Sequence, residues 1–125
     1  MAKSIHDDIL DGAWDVLRLN ANGISVCDGQ PTTYNEAWTT YALATSGTLS
    51  SPDFTIADGD TSGRKCTIGT QSDVAIFNNG TADHIALVDV GNTKLLLVTT
   101  CSDQVLTSGG TVTVNEFDDE ILDPA

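Results

Sequence analysis

The chain has 125 residues, enough for one domain with a core of its own and too few for a second. Eighteen acidic residues stand against five basic ones, a formal charge of −13. Five cations cannot line a groove that neutralises nucleic-acid phosphates, and anionic lipid would repel such a chain, so neither nucleic acid nor a membrane is expected as a partner.

The first element in chain order is a helix over residues 4–20, "SIHDDILDGAWDVLRLN". Ser4 is placed to cap the amide of Asp7, and Asp7 and Asp8 sit at the positive end of the helix dipole. At about 3.6 residues per turn, Ile5, Ile9, Leu10, Ala13, Trp14, Val16 and Leu17 gather on one half. His6 falls in that half near its start, while Asp7, Asp8, Asp11, Asp15 and Arg18 gather on the other. Gly12 costs about 1 kcal/mol relative to alanine in mid-helix, and Asn22 with Gly23 offers a stop. The apolar half needs a cover, either the chain's own sheet or a neighbouring subunit.

From Ile24 the pattern turns to strands. "ISVCDG" is short and closed by Asp28-Gly29. "EAWTTYALAT", Glu36 to Thr45, reads as a strand because β-branched and aromatic residues outnumber helix formers. "SGTLSSPDFTIADGDTSG" is a long loop that touches down at Phe54–Ile56. "RKCTIGT" sets Cys66 and Ile68 opposite Lys65, Thr67 and Gly69, and "DVAIFNNG" is a strand ended by Asn79-Gly80. "HIALVDV", opened by His84, and "TKLLLVTTC" flank Gly91-Asn92, a two-residue hairpin signal. Both are apolar on both faces, which predicts central strands covered on each side. "GTVTVNEFDDEI" alternates cleanly, with Val112 and Val114 on one face and Thr111, Thr113 and Asn115 on the other.

The expected fold is mainly β: an antiparallel β-sandwich or barrel with one N-terminal amphipathic α-helix, in a single domain spanning 1–125. The helix takes 4–20 and the β-domain 24–122, with 115–125 as an acidic C-terminal strand and tail. No apolar run reaches the ~18–20 residues of a membrane span. "MAKSIHDDIL" has no uninterrupted apolar core, so no secretory signal is expected.

Signals of chemistry are sparse. Asp58, Asp60 and Ser62 of "DGDTSG" match the first half of a calcium loop, but the acid expected at its twelfth position falls on Gly69, and Arg64 and Lys65 follow at once. A plain polar turn is the stronger reading, with Asp58, Asp60 and Ser62 a weak metal candidate. Neither His6 nor His84 stands beside a nucleophile motif, and the phosphate-loop, dinucleotide, zinc-protease and hydrolase signatures are absent. No cofactor is expected, and an enzyme is not. Cys27, Cys66 and Cys101 are odd in number and widely spaced, so they read as small buried residues, with a single disulfide left open.

Trp14, Trp38, Tyr34 and Tyr41 serve either as core and rim or as a sugar-stacking platform, the latter implying a carbohydrate-binding adhesion module. The end "NEFDDEILDPA" is either a last strand leading to a solvated tail or an arm, with Phe117, Ile121 and Leu122 interleaved among acids to dock on a basic, partly apolar groove. Together with Ile5, Ile9 and Trp14 of the helix, these three form the candidate interface.

Four blocks, "IHDDILDGA", "PTTYNEAWTTYALAT", "LSSPDFTIADGDTSGRKCTI" and "ALVDVGNTKLLLVTTCSDQVLTSGGTVTVNEFDDEILDP", resemble a family of small virion proteins encoded among the head genes of tailed bacteriophages. The similarity extends from Ile5 to Pro124, and none of its blocks is a catalytic signature. Family members often carry a Pro-Ala-Trp-like sequence where this chain has "VNEFDDEI", which bears on the chemistry of the final strand. The resemblance implies a head decoration (cement) protein, made in the bacterial cytoplasm and placed on the capsid surface. Its implied partners are the major capsid protein and further copies of itself. A head–tail connector or tail-associated component is the alternative within the particle.

Overall fold

A computed structural model of the chain describes residues 5–123. Helix α1 runs over Asp7–Asn20. Its cap is His6, whose Nδ1 accepts from the Asp8 amide at 3.1 Å; Ser4, the expected cap, lies outside the described residues. His6 therefore precedes the helix and is exposed, instead of joining its apolar half. Asp7 and Asp8 fill the first turn, and Arg18 in the last turn meets Asp15 at 2.7 Å. Ala21 closes the helix by donating its N–H to Leu17 O.

Asn22 and Gly23 are not the expected stop. Asn22 Oδ1 accepts from the Val90 amide at 2.8 Å, and Gly23 is already in a strand. A Cβ on Gly23 would lie 2.8 Å from the Trp38 ring and 2.9 Å from Val88 Cγ2. Only a residue without a side chain lets the indole lie flat on the sheet there.

Nine strands follow among the described residues: β1 (Gly23–Cys27), β2 (Ala42–Ser46), β3 (Phe54–Asp58), β4 (Arg64–Ile68), β5 (Gln71–Ala75), β6 (Gly80–Asp89), β7 (Lys94–Leu106), β8 (Thr111–Val114) and β9 (Phe117–Ile121). They form three antiparallel sheets, ordered β2-β1-β6-β7, β3-β4-β9 and β5-β8. A single bridge, Ala44 to Ile76, joins the β2 edge to the end of β5. The expected mainly antiparallel β fold with one N-terminal helix is what forms, and the strands do not close into a barrel.

The main core lies between the inner face of the four-stranded sheet and the other two sheets. Ile24, Val26, Ala44 and Leu87 face Phe54, Cys66, Ile68, Val74 and Val114, and α1 adds Trp14 and Leu17. The outer face of the same sheet is covered too. Cys27, Ala37, Ala86 and Val88 are buried there beneath Tyr34, Trp38 and Tyr41. This second layer explains why β1 is buried at every position, since both of its faces are shielded from water.

The outer layer is built from part of the expected strand over Glu36 to Thr45. Glu36–Thr40 is instead one turn of π-helix, closed by the Tyr41 amide on Glu36 O at 2.8 Å, and the strand begins only at Ala42. Side chains supply the reason. Thr33 Oγ1 accepts from the Glu36 amide, and Glu36 Oε1 accepts from both the amide and the hydroxyl of Thr32. Such local bonds give the backbone partners outside a ladder. Ser25 Oγ then donates to Ala37 O at 2.5 Å, fixing the turn on the sheet.

Three further expectations change. The long loop holds a 3₁₀ turn at Ser51–Asp53, with a reciprocal Ser50–Asp53 capping box, and leads into the whole of β3 instead of a brief touchdown. The hairpin turn between paired Asp89 and Lys94 has four residues, 90–93, not the two-residue Gly91-Asn92 turn; Thr93 takes φ 52°. Asp89 holds this turn by accepting from Asn92 Nδ2 at 2.8 Å and the Asn92 amide at 3.3 Å.

Third, β7 is not a central strand. It is the edge of its sheet, and its residues are half-buried or exposed until Leu106. The reason lies in a bulge: Leu87 pairs with Leu97 and Val88 with Leu95, leaving Leu96 over. Leu96 and Leu97 consequently turn toward the main core while Leu95 and Val98 pack on the outer layer. An apolar run that reads as two covered faces is one interrupted alternation.

Two outcomes are expected. Ile24→Ala or Ile68→Ala, each emptying a site with no solvent exposure, lowers unfolding free energy by about 2–5 kcal/mol, and Gly23→Ala lowers it by about 1–3 kcal/mol through overpacking; urea denaturation measures all three. The Asn92 donors hold the Asp89 carboxyl below its ordinary value, so its stabilisation is full above about pH 4 and is lost as pH falls through the folded value. Asp89→Asn is therefore less stable than the parent at pH 7, and the gap narrows when urea curves are repeated below about pH 4.

Candidate functional site

The α1 helix carries a wider apolar arc than the molecule covers. Leu10, Trp14 and Leu17 are buried, and Trp14 Nε1 donates to Arg64 O on β4 at 3.1 Å. The other side of the arc faces solvent: Ile9 is 68% exposed, Val16 57% and Leu19 67%. Of the two expected covers, the chain's own sheet takes one edge of the arc and leaves the rest exposed. Beside it, Ala13 and Val16 line a small groove of about 130 Å³ with Leu96 and Leu97 of β7 and Ile121 of β9. The Leu96 bulge is what brings two consecutive leucines to this groove.

The residues named as an interface from sequence divide here. Ile5 and Ile9 are exposed on the helix side and Leu122 is 54% exposed just after β9. Trp14 is buried, and Phe117 and Ile121 are partly buried against the main core. The expected last strand forms as β9, which pairs with β4 from Arg64–Ile121 to Ile68–Phe117, so the segment is not a free arm through Ile121. Val16, Leu19, Leu96 and Leu97 were absent from the sequence-based set; the pairing register that brings the leucines to this groove is a long-range property.

The "DGDTSG" turn has its carboxylates occupied. Asp58 Oδ1 accepts from Arg64 Nη1 at 2.7 Å, and Asp60 Oδ1 from Lys65 Nζ at 2.9 Å, which holds the Asp60 carboxyl below its usual range. Ser62 Oγ accepts from the Asp123 amide. Gly63, at φ 67°, sits against the Ile121 carbonyl, where a Cβ has no room. The cations that spoil the calcium pattern in sequence are the ligands of these acids in space. Among the described residues, no three His, Cys, Asp or Glu side chains converge as a metal set.

The remaining candidates are dispersed. His6 is at the start of α1 and His84 is inside β6, which begins at Gly80, with Asp83 Oδ1 at 2.8 Å from its Nδ1. The bond to His84, and then the Gly29 amide, hold the Asp83 carboxyl below its ordinary value. Tyr34 and Trp38 stack with ring centroids 6.4 Å apart, but they roof the outer cluster, and Trp14 is on the opposite side of the sheet. The aromatic groups do not form one platform.

All three cysteines are free. Burial raises the Cys27 thiol, and raises that of Cys66 to about 11. Cys101 is half-buried, also raised by burial and then by Asp83 and Asp103. No family model matches the chain, and no curated protein or solved structure shows significant similarity to it.

A thiol reagent such as DTNB at pH 8 should label one cysteine, Cys101, in the native protein and release two further equivalents only in denaturant. Rapid labelling of Cys27 or Cys66 in the folded protein, read by peptide mass, would contradict the burial that sets their thiols.

Proposed function

We propose that the chain is a non-enzymatic structural virion protein that binds and stabilises the outer surface of a phage capsid. The observation that carries this reading is the uncovered apolar strip of Ile9, Val16 and Leu19, continued through the groove at Leu96, Leu97 and Ile121. On a chain of charge −13, such a strip is the part of the surface suited to a protein partner. The resemblance of residues 5–124 to small head proteins of tailed phages supplies the kind of partner. A body of three sheets on a shared core supplies the rigidity a clamp between shell subunits needs. The net negative charge disfavours contact with packaged genome and keeps unassembled copies apart.

A decoration protein is present in numbers comparable to the major capsid protein, whereas a connector or tail component is present in a few per cent of that. Quantitative mass spectrometry of purified particles should give near-stoichiometric copies. Particles decorated in vitro should lose occupancy with the exposed substitutions Ile9→Glu and Val16→Glu while the free variants keep their melting curves. A ratio of a few per cent moves the chain to the connector or tail, and unchanged occupancy with both substitutions rejects the helix strip as the adhesive surface.

A further inference from the structure

The strands β7 and β8 follow one another in the chain across residues 107–110, the arrangement that ordinarily zips into a hairpin. Here they do not pair. β7 bonds only to β6, β8 only to β5, and β9 beyond it only to β4. The turn between them is tied elsewhere: the Ile76 amide donates to Gly110 O, the Gly109 amide to Ile76 O, and the Ser108 amide to Asn79 Oδ1. The two strands are held apart, and a cleft of about 460 Å³ opens between them.

The lining of this cleft identifies what surrounds it. Residues 99–102 on one side and 112–118 on the other line it consecutively, with Val26, Ala82 and Ile85 at its base. A sheet seen face-on presents alternate residues, so the unbroken run 112–118 marks a segment seen from its edge. On β7 the run 99–102 enters a register shift that leaves Cys101, Ser102 and Asp103 opposite Asp83, along a strand whose outer side has no partner. Two edges whose backbone N–H and C=O groups have no ladder partner therefore border one slot with an apolar floor. Such edges accept an added strand.

Charge decides the occupant. Glu116 and Asp118 line the cleft, Asp103 lies on β7 between the lining residues Ser102 and Gln104, and no lysine or arginine contributes. Arg64 and Lys65 are engaged by Asp11, Asp58 and Asp60, and Arg18 by Asp15. A second copy of a chain with charge −13 would bring more anions to this rim.

We propose that this cleft accepts an extended segment of a different polypeptide, one that alternates apolar and basic residues, as an added β-strand between β7 and the β8–β9 segment. The apolar side chains pack on Cys101, Val112 and Phe117, the half-buried apolar residues of the lining, and the basic ones reach Glu116 and Asp118, with Asp103 next to the lining on β7. The cleft lies apart from the α1 strip, and the proposal stands whether or not the protein belongs to a shell.

The probe is a fluorescein-labelled peptide of about ten residues alternating valine and lysine, long enough to span six paired residues, or about 20 Å. Two control peptides replace lysine by glutamate, or the central valine by proline, which removes a backbone donor. Fluorescence anisotropy at low salt should show binding of the Val/Lys peptide alone. Amide exchange should slow at residues 99–104 and 113–118 on binding. Glu116→Lys combined with Asp103→Lys, both exposed positions, should weaken it by roughly tenfold, the loss shrinking in salt.

Failure of the Val/Lys peptide to bind overturns the proposal. So does equal binding of the proline peptide, which would reveal charge attraction without strand pairing. Concentration-dependent protection of the same amides without peptide, with a doubled mass by sedimentation, would overturn the choice of occupant in favour of a second copy.

Discussion

Arg64 joins the front helix to the sheet behind it. Its guanidinium is bidentate toward Asp11 of α1, at 2.7 and 3.3 Å, and meets Asp58 of β3 at 2.7 Å. Its carbonyl takes the indole N–H of Trp14. These bonds hold the cation charged and push its acidity further from neutrality, chiefly through Asp11. A planar fork suits this task better than a lysine would, because two carboxylates on different elements are addressed in fixed directions. With Asp11 and Trp14 both fixed, the rotation of α1 about its axis is set. That rotation decides which apolar residues are buried and which form the exposed strip.

Anions outnumber cations more than threefold, and two of the five cations sit where elements meet. Arg64 and Lys65 serve the β3–β4 turn, where Lys65 contacts Asp60 and Asp118. The remaining acids are largely on open surface. The molecule therefore has a positively anchored seam within a negative exterior, and its apolar strip and acidic cleft are two features of that surface. Both trace to β7: Leu96 and Leu97 form part of the groove, and the strand's free edge forms one wall of the cleft.

The sequence made the local patterns legible. The spacing of Leu10, Trp14 and Leu17 predicts a helix, and the alternation of Val112 and Val114 predicts a strand with one buried face. The antiparallel β class followed from turns and short runs. What escaped depends on distant partners. Nothing in "KLLLVTT" marks Leu96 as the unpaired residue, because a bulge is defined by the strand opposite. Gly23 looks like a helix stop until Trp38 is laid on it. Glu36–Thr40 has the composition of a strand, and only the bonds to Thr32 and Thr33 turn it aside. The last strand was legible, but not its acids' partners: Asp118 meets Lys65, and Glu120 accepts from the Asp60 amide, across more than fifty positions of chain. The cleft was invisible for the same reason: no single strand carries the information that its neighbour in sequence is not its neighbour in space.

The pairing of Arg64 with Ile121, together with Asp7 Oδ2 lying 3.9 Å from the Arg64 guanidinium, places the start of α1 and the end of β9 at one corner of the molecule. A short linker between these points would make the backbone circular without crossing the core, and the exposed turn at Gly91-Asn92 offers a place to open it again.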